Sequence, residues 1–124
     1  VLAGLAVGGT LATGQGGAAQ AAQAMGGMAS WYGGRFEGKP MANGCPFHRH
    51  ALTAASRILP LGARVRVRLR GKSVIVPITD RGPYHRGRDL DLSEAAAARL
   101  GMLNLGLAHV EIERIGDAGA SACR

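Results

Sequence analysis

The sequence predicts a small, mainly β fold, a barrel or an α+β domain with one or two short helices. Three observations carry this. Residues 64–70 alternate strictly, Val65, Val67 and Leu69 standing between Arg64, Arg66, Arg68 and Arg70, and a period of two marks a half-buried strand. Twenty glycines cut the 124 residues into short runs. One stretch, Glu94 to Leu100, has helical composition. A chain of this length makes one domain with a modest core. With five aromatic residues, that core must come from Val, Leu, Ile and Ala.

Val1 to about Ala24 holds no charge and consists of Val, Leu, Ala, Gly, Thr and Gln. Val1 to Val7 reads as the apolar part of a secretory signal, with small-residue cleavage candidates among Ala18 to Ala24. The basic start and initiator methionine of a complete signal are absent, so the sequence is expected to begin inside one. Gly8, Gly9, Gly14, Gln15, Gly16 and Gly17 break the apolar run well short of the ~20 residues a membrane-spanning helix needs. Residues 1–27 are therefore expected to be a signal-like, disordered segment, 28–115 the folded domain and 116–124 a flexible tail.

Within the domain, Met28 to Tyr32 reads as the first strand. A glycine-punctuated loop follows to Gly44, then an irregular stretch from Cys45 to His50 and a short strand at Ala51 to Ala55. Leu59-Pro60-Leu61-Gly62 is a turn, because proline restricts the residue before it and glycine permits unusual dihedrals. Gly71-Lys72 folds the alternating strand back onto Ser73 to Thr79 as a hairpin. Ser93 is placed to cap a helix beginning at Glu94, which Gly101 stops. Leu107 to Ile115 alternates again as the last strand.

Thirteen of the fifteen basic residues are arginine, and the formal charge is +7. That balance favours an anionic partner, whether nucleic acid, membrane headgroups or a carboxylate-bearing polymer. The aromatics lack the alternation of base-stacking sheets, which argues against nucleic acid. The arginine row at 64–70 fits either attraction of such a partner or a solvated hairpin face, and the solvated face is the default. Cys45 and Cys123 can pair in an oxidising compartment, but their spacing leaves this open. No His/Cys cluster suggests a metal, and no cofactor motif is present.

The densest chemistry lies between Thr79 and Ser93. Asp80 stands at the end of an apolar strand, held in an Asp-Arg-Gly-Pro turn, and Asp89 and Asp91 lead into the helix. Cleavage of a glycosidic bond needs a proton donor for the leaving oxygen, for which a carboxylate with raised pKa serves. Arg81 would favour the ionised form of Asp80, and burial the protonated one. Asp91 reads as a carboxylate near a helix N-terminus, and Asp89 as a surface residue. Trp31, Tyr32 and Phe36 fit a sugar-stacking platform and fit equally a core anchor. Glu37 offers an alternative second carboxylate, and His48 and His50 offer titratable groups close to Cys45 in sequence, but all three read better as loop residues, while His85 and His109 have no evident partner.

Ala29-Ser30-Trp31-Tyr32-Gly33, Ala42-Asn43-Gly44, Leu52-Thr53-Ala54-Ala55, Leu59-Pro60-Leu61-Gly62, the Asp80 turn and Asp91-Leu92-Ser93-Glu94-Ala95 occur in one order. In that order they resemble the RlpA (rare lipoprotein A) family of bacterial cell envelopes, over about Met28 to Ile115. The resemblance implies a double-psi β-barrel and endolytic lytic transglycosylase activity on peptidoglycan, leaving 1,6-anhydromuramyl ends. It places the catalytic role on Asp80, and the substrate-binding residues expected around it are Trp31, Tyr32, Asn43, Ser56, Arg81 and Tyr84. It further implies export to the periplasm or envelope, with a lipid anchor if a lipobox precedes the sequence. The expected partner is the peptidoglycan glycan strand, met by a monomer without nucleic acid, metal or cofactor. Two positions depart from the family pattern: Cys45 stands where a glutamate is usual, and Ser56 where a histidine is usual. These departures favour the alternative of a non-catalytic, expansin-like wall-binding module, while the intact Asp80-Arg81-Gly82-Pro83 turn favours the enzyme.

Overall fold

The computed structural model describes residues 24–117. Six strands, β1 (Ala24–Tyr32), β2 (Ala54–Ser56), β3 (Ala63–Leu69), β4 (Lys72–Asp80), β5 (Leu90–Ser93) and β6 (Ala108–Asp117), form a closed barrel in the order β1-β5-β2-β4-β3-β6. Among the described residues one helix, α1 (Glu94–Arg99), follows β5 directly, and one 3-10 turn occupies Gly34–Phe36. The mainly β barrel expected from the sequence is what forms.

The arginine-bearing strand behaves as its alternation requires. Val65, Val67 and Leu69 point into the barrel, where Val65 and Val67 are fully buried beside Val76, Ile78 and Leu92. On the outer face, Arg66 lies opposite Glu113 and Arg68 opposite Glu111 across the β3–β6 ladder. Both pairs close, at 3.0 and 3.1 Å. Two of the four arginines in the row are thus neutralised by β6. This fits the solvated-face reading of the row better than an anion-binding one.

The hairpin turn is one residue earlier than the sequence suggests. Leu69 pairs with Lys72, so Arg70 and Gly71 form the two-residue loop, with φ of 50° and 81°. Two positive φ values give the twist that matches right-handed strands. Ser93 Oγ accepts the Ala96 amide at 3.3 Å, capping α1 as expected. At the other end Gly101 has φ 72°; its N–H bonds Ala98 O, and Met102 N–H bonds Ala97 O, the paired bonds of a glycine-terminated helix.

The boundary expected at Met28 moves upstream. Ala24 to Gly27 belong to β1 and pair with Glu113 to Val110 of β6. Gly26 and Gly27, expected in the signal-like segment, lie in this strand, and at Gly27 the lack of a side chain answers a packing need. A Cβ on Gly27 would stand 3.2 Å from both Asp89 Cβ and Ile112 Cδ1. Gly116 and Asp117, expected in the tail, likewise extend β6. The signal-like segment up to residue 23 and the tail from 118 onward lie outside the described residues.

Core packing sets the first prediction. Leu92 is fully buried between β1 and β2, and truncation to alanine removes contacts that its neighbours cannot recover. Leu92→Ala should cost about 2–5 kcal/mol in urea unfolding, whereas Ile75→Ala, on the exposed side of β4, should cost less than about 1 kcal/mol.

Candidate active site

The barrel places polar side chains in a row on its outer face. Ser30 of β1 pairs with Asp91 of β5, Asp91 with Ala55 of β2, and Ala55 with Asp80 of β4. Two strand spacings separate the aspartates, so their Cα atoms stand roughly 10 Å apart. Leu90 and Leu92 point into the core, so alternation turns Asp91 to the other face. Asp80 has the parity of the buried Ile78, but the ladder shifts register between Ala54 and Ala55 and sets Asp80 opposite Ala55, in line with Asp91, and both carboxylates bear on Tyr32.

The placement of Asp91 is what sequence reasoning missed. It read as a helix-terminus charge, but Ser93 does the capping and Asp91 faces the groove, accepting a hydrogen bond from Ser30 Oγ at 3.0 Å. Its pKa is pushed above the ordinary 3.8. Burial is the main cause, and the charge of Asp80 adds to it; the Ser30 hydroxyl, Arg88 and His85 oppose it. A carboxylate set between two core leucines on a strand, Leu90-Asp91-Leu92, is the sequence signal that points to it.

Asp80 is held differently. Its Oδ1 accepts the backbone N–H of Ala42 and that of Arg81, each at 2.8 Å. The Arg81 guanidinium does not pair with it, contrary to expectation. Arg81 Nη1 donates to the carbonyls of Ser56 and Leu59 at 2.8 and 2.6 Å. Asn43, expected to bind substrate, helps fasten the loop over Asp80: its N–H bonds Thr79 O at 3.1 Å and its Oδ1 accepts the Cys45 amide at 3.0 Å.

The loop at 33–53 that carries these contacts has a small core of its own. Met41, Cys45 and Phe47 are buried, with Tyr32 and Phe36 packed against them. The Tyr32 ring stacks on Phe47, with centroids 4.4 Å apart, and meets Phe36 edge-on at 5.5 Å. Tyr32 is thus an anchor for this loop and not a sugar platform, because Phe47 already covers a ring face. Its hydroxyl is buried without a partner among the described residues. Burial first, then the charges of Asp80 and Asp91, push its pKa upward and keep it protonated.

The remaining candidates divide. Tyr84, 77 % exposed beside the Asp80 turn, is free to contact a ligand. Trp31 is half-buried against the barrel core and its Nε1 bonds Leu103 O at 3.3 Å, an anchoring role. Ser56 is 1 % exposed, and its Oγ accepts the amides of Ile58 and Leu59. That enclosure removes it from the substrate-binding set. Cys45 is buried and disulfide-bonded; the expected pairing with Cys123 falls on a residue outside the described ones. Glu37 and His48 are exposed and paired at 3.0 Å. The Arg49 amide, followed by His48, lowers the Glu37 pKa. Among the described residues no cluster of His, Cys, Asp or Glu is arranged to hold a metal.

Comparison with known proteins follows the same lines. A family model described as "Lytic transglycolase" matches residues 24–112. The chain belongs to this family. The endolytic peptidoglycan transglycosylase RlpA of Neisseria meningitidis serogroup A is 52 % identical over 91 residues, which are 72 % of this chain and 38 % of that protein. The protein of the same description from Pseudomonas aeruginosa is 48 % identical over 91 residues, 72 % of this chain and 27 % of its own length. The chain thus spans well under half of these curated relatives. Among solved structures, a Streptomyces papain inhibitor superposes with TM-score 0.61 at 26 % identity, covering 73 % of this chain and 93 % of that one. An expansin from Clavibacter michiganensis gives 0.59 at 23 %, covering 76 % and 51 %. The closed barrel is the double-psi β-barrel that the sequence resemblance implied.

The environment of Asp91 gives the second prediction. Its pKa is raised in the folded state, so above the unfolded value of 3.8 the folded protein holds a proton that the unfolded chain releases. Ionising Asp91 in the groove therefore costs stability as pH rises through its folded pKa. Asp91→Asn keeps an oxygen for Ser30 and removes that cost. It should match the parent near pH 3 and be the more stable protein at pH 7, as read by urea unfolding at both values.

Proposed function

We propose that this domain cleaves the glycan strands of peptidoglycan as an endolytic lytic transglycosylase, with Asp91 and Asp80 dividing the proton transfers. The observation that carries the reading is the pair of carboxylates that flank β2, both in register with Ala55, in unlike environments. One is desolvated and disposed to keep a proton; the other is fastened by two backbone N–H groups. Environments that separate two carboxylates also separate acid from base. The names of the curated relatives support the same reaction class.

In this scheme the glycosidic bond between the muramyl C1 and the leaving sugar's O4 breaks as Asp91 delivers its proton to O4. The muramyl C6 hydroxyl then closes on C1, and its proton passes to a carboxylate. Asp80, whose Oδ2 is not engaged by the backbone amides on Oδ1, is placed to take it. No water is consumed, and the product carries a 1,6-anhydro ring. Asp80 was the single catalytic candidate in the sequence; here it shares the work with Asp91, and Tyr84 lies on the substrate side. The reaction belongs in the cell envelope, where peptidoglycan lies, and the signal-like composition before residue 24 supports export.

A second reading, wall binding without turnover, draws on the same groove. It is favoured by Cys45 and Ser56, which are both buried and offer no titrating group. Incubation with peptidoglycan, followed by mass spectrometry for 1,6-anhydromuramyl ends, separates the two. The parent should release such ends. Asp80→Asn and Asp91→Asn should each lower the rate at least ~100-fold, the scale of a lost general acid or base, while keeping the parent's circular dichroism. Binding to the polymer with no anhydro product would establish the binding module instead.

A further inference from the structure

Two arginines tie together the loops that border the groove, and each reaches across to the other's loop. The chain leaves β4 at Asp80 and re-enters the barrel as β5 at Leu90, on the far side of β2. Residues 81–89 therefore form a bridge between the two carboxylates. Arg57, the first residue after β2, sends Nη1 into this bridge and donates to the carbonyls of Pro83 at 2.7 Å and Arg88 at 2.8 Å. Its Nη2 lies 3.6 Å from Asp89 Oδ1, and the other Asp89 oxygen accepts the Met28 amide of β1 at 2.9 Å. In the reverse direction, Arg81 on the bridge holds the carbonyls of Ser56 and Leu59. A guanidinium suits this work because its donors form a rigid planar fork.

The bridge needs such support. Tyr84, His85, Arg86 and Gly87 are exposed. Its backbone bonds among the described residues are a turn from Arg88 N to His85 O at 3.2 Å and an anchor from Asp89 N to Met28 O at 2.8 Å. An exposed segment with few backbone bonds opens at low free-energy cost unless side chains hold it.

We propose that Arg57 is a positioning residue for Asp91, holding the 81–89 bridge closed so that Arg88 and His85 keep their place beside a carboxylate that the ladder itself fixes. The proposal rests on the reading of Asp91 and Asp80 as the reacting pair. Asp91 is faced by Ser30 and Tyr32 from β1, by Asp80 from the end of β4, and by Arg88 and His85 from the bridge. Arg88 and His85 oppose the effect of burial on Asp91, and Arg88 is itself held through its carbonyl by Arg57. Releasing the bridge lets Arg88 and the His85 ring recede, their opposition to the effect of burial weakens, and Asp91 then holds its proton more tightly and gives it up less readily to a leaving oxygen.

The test compares Arg57→Gln and Arg57→Lys with the parent. Arg68→Gln serves as a charge-loss control, since Arg68 pairs with Glu111 on the β3–β6 wall. Carbon-13 NMR titration of the Asp91 carboxyl, amide hydrogen exchange across residues 82–89 and release of anhydromuramyl ends are the readouts. Arg57→Gln should move the Asp91 midpoint to higher pH and speed exchange in the bridge about tenfold or more. It should also lower kcat about 10–100-fold while KM changes less than about threefold, the pattern of misplacement rather than lost binding. Arg57→Lys, which keeps the charge but not the fork, should fall between, and Arg68→Gln should match the parent. Should Arg57→Gln fail to fold, the same readouts on Arg57→Lys decide. An Asp91 midpoint and bridge exchange equal to the parent's, or shifted as much by Arg68→Gln, overturn the proposal. The first two readouts need no turnover. A domain that meets both but releases no anhydro product retains the clamp and overturns the cleavage reading alone.

Discussion

The structure depends on closing a barrel around β2, a strand of three residues. Ala54, Ala55 and Ser56 are all buried, and their small side chains let β5 and β4 pack on either side. Because β2 separates them, β4 and β5 are joined by a connection that must span it. The same separation fixes the distance between Asp80 and Asp91 at two strand spacings, so the geometry of the groove is a property of the ladder more than of any loop. Loops then tune what the ladder places: the 33–53 loop supplies the Ala42 amide to Asp80, and the 81–89 bridge brings basic residues toward Asp91.

Charge is distributed in two distinct ways over this barrel. On the β3–β6 wall, arginines and glutamates alternate in register and neutralise one another. Exposed pairs of this kind contribute roughly 0–1 kcal/mol each, so their value lies in holding register more than in stability. Around the groove, arginine is spent on backbone carbonyls instead. Arg57 and Arg81 meet carbonyl oxygens, and neither forms a close ion pair with Asp80 or Asp91.

The two departures from the family pattern are consistent with this economy. Cys45 lies in the small core above Tyr32, and Ser56 closes the turn after β2 by accepting two amides. Both positions hold the frame of the site, and neither presents a titrating group to it. The proposed chemistry therefore rests on Asp80 and Asp91, with the burial of Asp91 distinguishing the two.

The sequence by itself determined what depends on local periodicity and local dihedral preference. The arginine alternation marked β3, Ser93 and Gly101 marked the ends of α1, and the ordered motifs marked the family and its barrel. Asp80 was legible because a strand end followed by Gly-Pro announces a carboxylate held in a turn. Only the tertiary structure decided what depends on residues distant in the chain. Gly27 reads as part of the signal-like segment until Asp89 and Ile112 are seen packed against it. Arg81 reads as the partner of Asp80 until the carbonyls of Ser56 and Leu59 come within its reach. Asp91 reads as a helix-end charge until β1 and β2 flank it with Ser30 and Ala55. Its desolvation is created by strands that lie 61 and 36 positions away in sequence, at Ser30 and Ala55. Burial of a charge is a sum over neighbours in space, and a linear pattern does not contain that sum.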